Sequence, residues 1–312
     1  MSHNTEITLY IWPHSWSLPS FDVDSLACVL YLQLLCANGQ QSYALVECTD
    51  PDVSPTCSLP FLRHEGQEIG TARSILRYLQ KLQGEEAGDD IASVKRTAWS
   101  AYVDSRLKDL TNAVLYANPE NYRVGVHKVL ATLLPVPARY YLPRRLREEI
   151  RATLEPAGMW NLQQENDEND GMEEKKRPFD KPKTIVDEKD KIINEAFGKE
   201  KLLEKARETF DLLNPLLAHH AFFLSKQVTP LDCQVAACIL LLRNAQTAKN
   251  PIPALLDEFY PKIVEHSDRI LSLAFPADEK AKAQVTVGVA SHANPLVQLG
   301  RAVHRVIKSV SS

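Results

Sequence analysis

The chain has no apolar run long enough to cross a bilayer. Its longest uncharged one, VAACILLL at 235–242, falls far short of the roughly 20 residues a spanning helix needs. An excess of one charge is also missing: 36 Lys and Arg stand against 40 Asp and Glu, a formal net charge of −4. That leaves no global electrostatic drive toward nucleic acid. The opening MSHNTEITLYIW has neither the basic segment and apolar stretch of a secretory signal nor the Arg-rich, acid-poor pattern of a matrix leader. The six cysteines (Cys28, Cys36, Cys48, Cys57, Cys233 and Cys238) form no CxxC pair and no Cys–His ligand spacing. They are expected to be inert core thiols in a reduced, cytosol-facing compartment. His219 and His220 are adjacent, point different ways on a helix, and are not expected to share a metal. Neither metal nor cofactor is therefore expected.

What is present describes a soluble globular protein of 312 residues, 44% hydrophobic and 24% charged, enough for one large domain or two smaller ones. Ile7, Leu9 and Ile11 alternate with Thr8, Tyr10 and Trp12, a strand signal. Asp22 or Asp24 can cap a following helix. That helix is apolar on every side, through Val23, Leu26, Leu30 and Leu34 and also Val29, Leu32 and Leu35, so it must be buried. SYALVEC reads as a second strand, Pro60 opens a third, Gln67–Ile69 supplies a fourth, and Ile75, Leu79 and Leu82 make a helical stripe. From residue 82 onward only helices are expected, over 90–117, 120–134, 144–160, 200–224, 230–248, 253–273 and 295–310. Thr229, Pro230 and Asp232 form a near capping box with proline at the first helical position, and the helix behind is almost wholly apolar. The charged stretch within 161–200, QQENDENDGMEEKKRPFDKPKT, has too little aliphatic content to offset chain entropy and is expected to be a disordered insertion.

This ordered series resembles the glutathione-transferase superfamily. The opening LYIWPHSWSLPSFDVDSLACVLYLQL, the GTARSILRYLQ helix, VTPLDCQVAA and LPVPARYYLPRRLREEIR are similar to the metaxins, and most to the fungal metaxin-like subunit of the mitochondrial sorting and assembly machinery. The resemblance implies an α+β two-domain glutathione-transferase-like fold. Residues 1–84 would form a thioredoxin-like β-α-β-β-β-α domain, and 85–312 an all-helical domain carrying the insertion at 161–200. It implies a cis Leu59–Pro60 bond. It also implies a non-enzymatic part on the cytosolic face of the mitochondrial outer membrane, in the insertion, folding and release of β-barrel precursors. The implied partners are the β-barrel core subunit and a second metaxin-like subunit, with the outer-membrane translocase as a further neighbour and peripheral contact with the membrane. A glutathione-dependent transferase and a transferase-like assembly domain of another cytosolic complex are the competing readings.

A working transferase needs a hydroxyl or thiol beside its first helix and a polar clasp for the glutamyl end of the peptide. Ser15, Ser17 and Ser20 offer hydroxyls. The Gln/Glu-Ser pair that the resemblance places at the start of the third helix in transferases falls on Thr71-Ala72, so its serine is missing, while Ser74 would point elsewhere and Arg73 would be solvated. Trp12 is expected to pack between strand and helix. Trp16, Leu18 and Phe21 are candidates for lining a vacated cleft and meeting a partner, since tryptophan is enriched at binding hot spots. Tyr140, Tyr141, Arg144 and Arg145 are a second candidate partner or headgroup surface, offset by Glu148 and Glu149. The helix expected at 295–310 has an apolar and a basic side and is expected to pack back on the helical domain.

Overall fold

A computed structural model describes residues 6–36, 43–84, 91–160, 185–217, 221–276 and 286–289, the backbone alone for 185–195 and 286–289. Strand β1 (Ile7–Ile11) buries Ile7, Leu9 and Ile11 on one face, as its alternation requires. Helix α1 (Val23–Cys36) buries eleven of its fourteen residues. Strand β2 (Tyr43–Glu47) lies parallel to β1, the pairing a helical crossover produces. Strands β3 (Phe61–His64) and β4 (Gln67–Gly70) form a hairpin whose first strand runs antiparallel to β1, and helix α2 (Ala72–Leu82) completes the β-α-β-β-β-α unit. The Leu59–Pro60 bond entering β3 is cis, as the resemblance implied.

Helices follow. α3 (Ile91–Tyr102) runs through a π-turn (Val103–Leu107) into α4 (Lys108–Asn112) and a second π-turn (Ala113–Ala117). Asn118 then leaves helical geometry, and its side chain accepts from the amides of Glu120 and Asn121 (2.9 and 3.0 Å), capping α5 (Pro119–Tyr122). A third π-turn (Arg123–His127) leads into α6 (Lys128–Leu133). α7 spans Ala138–Leu154, α8 Ile185–Leu213, α9 Pro230–Asn244, α10 Ile252–Phe259 and α11 Pro261–Ala274.

Three expectations need correction. A fifth strand, β5 (Thr286–Val289), lies where only helix was expected and pairs parallel with β2, so the sheet order is β4-β3-β1-β2-β5. TVGV is too short to stand out as a strand by periodicity, and its identity comes from the free edge of β2 that it covers. α8 begins at Ile185, inside the stretch expected to lack structure. Its later turns carry the buried stripe Leu202, Ala206, Phe210 and Leu213. The remainder of that insertion, 161–184, lies outside the described residues. α7 starts at Ala138 rather than after Pro143, which is buried beside Leu142 while its carbonyl accepts from Tyr122 Oη (2.9 Å).

α9 is the central helix, with twelve buried residues. Its first turn holds Asp232, fully buried, whose carboxylate accepts from the amides of Phe223 and Thr229 (2.8 Å each) and from Thr229 Oγ1 (2.6 Å), and contacts His266 Nε2 (2.9 Å). The expected capping box is thus formed and extended by α11. α1 packs on α9, and one apolar cluster runs from β1, α1 and α2 into α9 and α11. A second joins Trp12, Phe21, Leu59 and Phe61 to Leu115, Tyr122, Leu142 and Trp160.

Candidate functional site

The strand-to-helix junction after β1 is where a transferase would carry its activating hydroxyl. Trp12 leaves the strand and turns inward, its ring 5.6 Å from that of Phe21 and its amide donating to Ser25 Oγ (3.3 Å). Ser15 and Leu18 then exchange two backbone hydrogen bonds (3.1 and 2.9 Å), closing a miniature hairpin. Its tip residues, Trp16 (φ 52°) and Ser17 (φ 60°), are both left-handed, a conformation such two-residue turns require and that usually selects Asn or Gly. Buried side chains just after the tip hold this strain: Leu18 is 4% exposed and Phe21 1%. Neither presents surface to a partner, which corrects the expectation for both. Their apolar bulk anchors the turn instead. Trp12 is core, as expected.

Trp16 is half-buried and packs across the junction. A Cβ on Gly125, in the third π-turn, would fall 2.6 Å from the Gln246 carbonyl, so a bare backbone is what lets that carbonyl approach, while Trp16 Cζ2, 3.7 Å from the same point, lies at ordinary contact distance. The ring lines an open groove of about 250 Å³ with His14, Ser15, Val124, Lys128 and Thr132. His14 Nδ1 and amide both meet Glu47 Oε1 (2.6 and 3.1 Å), tying the turn to β2.

The polar clasp is altered at each of its corners. Thr71 caps α2 from a left-handed conformation (φ 68°), accepting from the Ser74 amide and donating to Ser74 Oγ (3.0 Å). Ser74 is thereby occupied at the helix start. Arg73, expected to be solvated, pairs instead with Asp104 of the first π-turn (2.8 Å). Gln234 of α9 donates to the same carboxylate (3.2 Å) and accepts from Ser100 Oγ (2.7 Å), while Lys108 holds Asp24 at the start of α1 (2.7 Å). The crevice among Asp24, Ala72, Asp104, Lys108, Gln234 and Cys238 retains about 10 Å³, room for about one water and not for a peptide. Of the three candidate hydroxyls, Ser20 is fully buried and accepts from the Asp22 amide (3.3 Å), and Ser17 faces solvent at the hairpin tip. Ser15 is tied to Leu18 through its backbone.

The electrostatics suit a closed interface more than a reactive one. Burial drives the Cys28 and Cys233 thiols well above their ordinary range and raises Cys36 to about 11 and Cys238 to about 12, so none is a thiolate at neutral pH. Burial, then the neighbouring Asp24, lifts Asp22 to about 6. Burial works to lower Lys108, but Asp24, Asp22 and Asp104 together outweigh it and hold the ammonium above its usual range. The Arg73–Asp104–Gln234 network was not legible in the sequence, because its members lie 31 and 130 residues apart.

The second candidate surface divides. Tyr140 is 78% exposed, Arg144 is exposed and Tyr141 is half-buried. Arg145 turns inward, giving Asp52 two parallel bonds (3.0 and 2.9 Å), Glu149 one (3.1 Å) and the Cys57 carbonyl one (3.2 Å). It locks α7 to the loop before the cis proline and is removed from the candidate surface. Its neighbour Arg147 stacks over the Tyr122 and Trp160 rings (4.7 and 5.4 Å). Among the described residues no helix is long and apolar enough to cross a membrane, and no cluster of three His, Cys, Asp or Glu could hold a metal. His219, His220 and the expected helix 295–310 lie outside the described residues.

The family model described as Tom37, outer mitochondrial membrane transport complex protein, matches residues 25–147. Metaxin-1 of Bos taurus is 27% identical over 279 residues, covering 88% of this chain and 77% of the relative. Metaxin-1 of Sus scrofa is 25% identical over 272 residues (86% and 75%). Metaxin-3 of Danio rerio is 22% identical over 251 residues (80% and 68%). Among solved structures, a glutathione S-transferase of Ceriporiopsis subvermispora in complex with glutathione superposes with a TM-score of 0.52 at 15% identity, covering 88% of this chain and 99% of that one. The β-etherase LigF of a Sphingobium strain gives 0.50 at 14% (89% and 98%). These likenesses establish the two-domain glutathione-transferase-like fold.

Proposed function

We propose, from the premise that the chain belongs to the metaxin family of outer mitochondrial membrane transport proteins, that it is a non-enzymatic scaffold subunit of the sorting and assembly machinery. In that role it sits on the cytosolic face, bound to the β-barrel core subunit and a second metaxin-like subunit, and supports insertion, folding and release of β-barrel precursors. Residues 1–84 and 85–312 are its two units, held to each other by the packing of α1 on α9 and by β5, which joins the first unit's sheet at the edge of β2.

The observation that carries this reading is the closed clasp. A peptide-binding cleft must present unpaired donors and space to its ligand. Here Arg73 is neutralised by Asp104 and Lys108 by Asp24, and the crevice beside Asp24, Asp104 and Lys108 retains about 10 Å³. A glutamyl carboxylate would have to break pairs that the folded chain already satisfies. Trp16 and Tyr140 are among the exposed or half-exposed aromatics of the surface that a partner could meet.

The test is extraction of tagged protein from outer membranes in mild detergent, with identification of what stays bound, alongside glutathione-agarose retention and a thiol-conjugation assay. Co-purification with a β-barrel protein and no glutathione-dependent turnover is expected. Turnover that disappears on Ser15→Ala or Ser17→Ala would refute the reading.

A further inference from the structure

Away from the closed crevice, α2 and α3 enclose a second concavity, of about 180 Å³, whose floor reaches the start of α9. Arg73, Arg77 and Lys81 enter it from one stripe of α2, at spacings of four residues, and Arg96 faces them from α3. Ser93 and Thr97 add hydroxyls, and among the described residues no carboxylate lines the cavity. Only Arg73 has an acidic partner, Asp104. Among the described residues no hydrogen bond or ion pair engages Arg77, Lys81 or Arg96. Arg77 and Lys81 are exposed and Arg96 is half-buried, whereas the deeper cations Arg145, Lys108 and Arg243 are matched by Asp52 and Glu149, by Asp24 and by Asp268. In a chain with more acids than bases, three unmatched cations around one cavity repel one another unless an anion joins them.

We infer that this α2–α3 cavity binds a compact phosphate-bearing anion. Guanidinium forks from two helices and hydroxyls between them suit tetrahedral oxyanions, which take several donors at once. The depth of the cavity favours a compact group over a flat charged surface. The same chemistry is offered by a free polyphosphate and by the headgroup of an anionic phospholipid, and the second source would give a membrane-associated scaffold a specific lipid contact.

Pyrophosphate titrated calorimetrically into the full chain at low salt is expected to bind saturably. Arg77→Gln and Arg96→Gln should each weaken it roughly tenfold. Lys95→Gln, on α3 but outside the cavity, should leave it unchanged, and unfolding curves verify that each variant folds. Flotation with neutral vesicles and with vesicles carrying phosphatidylinositol phosphate separates the two sources. Retention on the phosphorylated vesicles identifies a headgroup, and pyrophosphate binding without retention identifies a soluble ligand; both support the assignment.

Equal weakening by Lys95→Gln would overturn it in favour of diffuse charge. Binding of a poly-glutamate peptide without pyrophosphate would overturn it in favour of an acidic protein segment. The connection between the two helices carries Glu85, Glu86, Asp89 and Asp90, outside the described residues. A silent wild type that binds only after these four become Gln and Asn would make the cavity an internal ion-pair site, and silence in both would also refute the inference. None of these outcomes bears on co-purification with a β-barrel protein.

Discussion

Arg144 and Arg145 are neighbours in sequence with opposite expected behaviour. Arg145 makes four hydrogen bonds, two of them the parallel pair to Asp52, and its side chain is 19% exposed against 6% for Asp52. Arg145→Ala strands the Asp52 carboxylate in a poorly solvated position. Breaking a fully buried pair from one side costs about 3–5 kcal/mol, and partial exposure of the arginine reduces that to roughly 2–3 kcal/mol. At roughly 2–4 °C per kcal/mol for a chain of this size, the melting temperature should fall by about 5–10 °C. Arg144→Ala removes an exposed charge and should move it by no more than about 1–2 °C. Thermal unfolding followed by circular dichroism measures both, and the double variant Arg145→Ala/Asp52→Ala should recover part of the loss because the stranded charge is gone. Equal shifts for the two arginines, or a double variant worse than the sum of the singles, would refute the pinned-arginine account.

Asp232→Asn turns one accepting oxygen into a donor that faces buried donors. At about 1–3 kcal/mol for each polar group left unsatisfied, urea unfolding should show a loss of roughly 2–5 kcal/mol; a change under 1 kcal/mol would mean the network rearranges freely. At Trp16 the backbone is left-handed, so Trp16→Gly should unfold at higher denaturant than Trp16→Ala by about 1 kcal/mol, although Gly removes more side chain. If Trp16 is also a partner contact, both variants should lose co-purifying protein to the same extent. Asp22 has a folded-state value of about 6, above its ordinary 3.8, so the folded chain binds the extra proton and this group's contribution to stability falls as pH rises through that window. Asp22→Asn should therefore stabilise the protein at pH 7.5 and lose that advantage near pH 4. A constant difference across the range would show that burial does not govern this carboxyl.

Much of the frame could be read from local pattern. The alternation at 7–11, the all-round apolar helix at 23–36 and the Thr229–Asp232 box each carry their own signal within a few residues, and each stands as expected. β5 had no such signal, since four residues acquire strand character only from the β2 edge they meet. The candidate contacts went astray for a related reason. Large apolar residues in a short loop suit a hot spot and an anchor equally, and only burial distinguishes Leu18 and Phe21, which anchor, from Trp16, which stays half-open. Likewise, the sequence places Arg144 and Arg145 together, while helical geometry turns them about 100° apart and sends one toward Asp52.

The position of unpaired charge separates two uses of one frame. A site waiting for a small polar ligand keeps donors unmatched in the empty state, because any internal partner competes with the ligand for the same hydrogen bonds. Where a transferase would hold its peptide, Arg73, Lys108, Asp104, Gln234 and Ser100 are all engaged with one another or with Asp24, and the crevice around Lys108 retains about 10 Å³. These charges fasten α2 and α9 to the first π-turn, and α4 to α1. A rigid joint between the units is of more use to a scaffold than to a catalyst that opens for substrate. Arg73, matched by Asp104, shares its stripe of α2 with Arg77 and Lys81, which together with Arg96 of α3 line the neighbouring cavity unmatched among the described residues. Disruption of the joint by Asp104→Ala should therefore reduce cooperativity of unfolding without creating glutathione binding. Pyrophosphate affinity should stay within about threefold of wild type, because Arg73 alone of the four cavity cations loses its anchor.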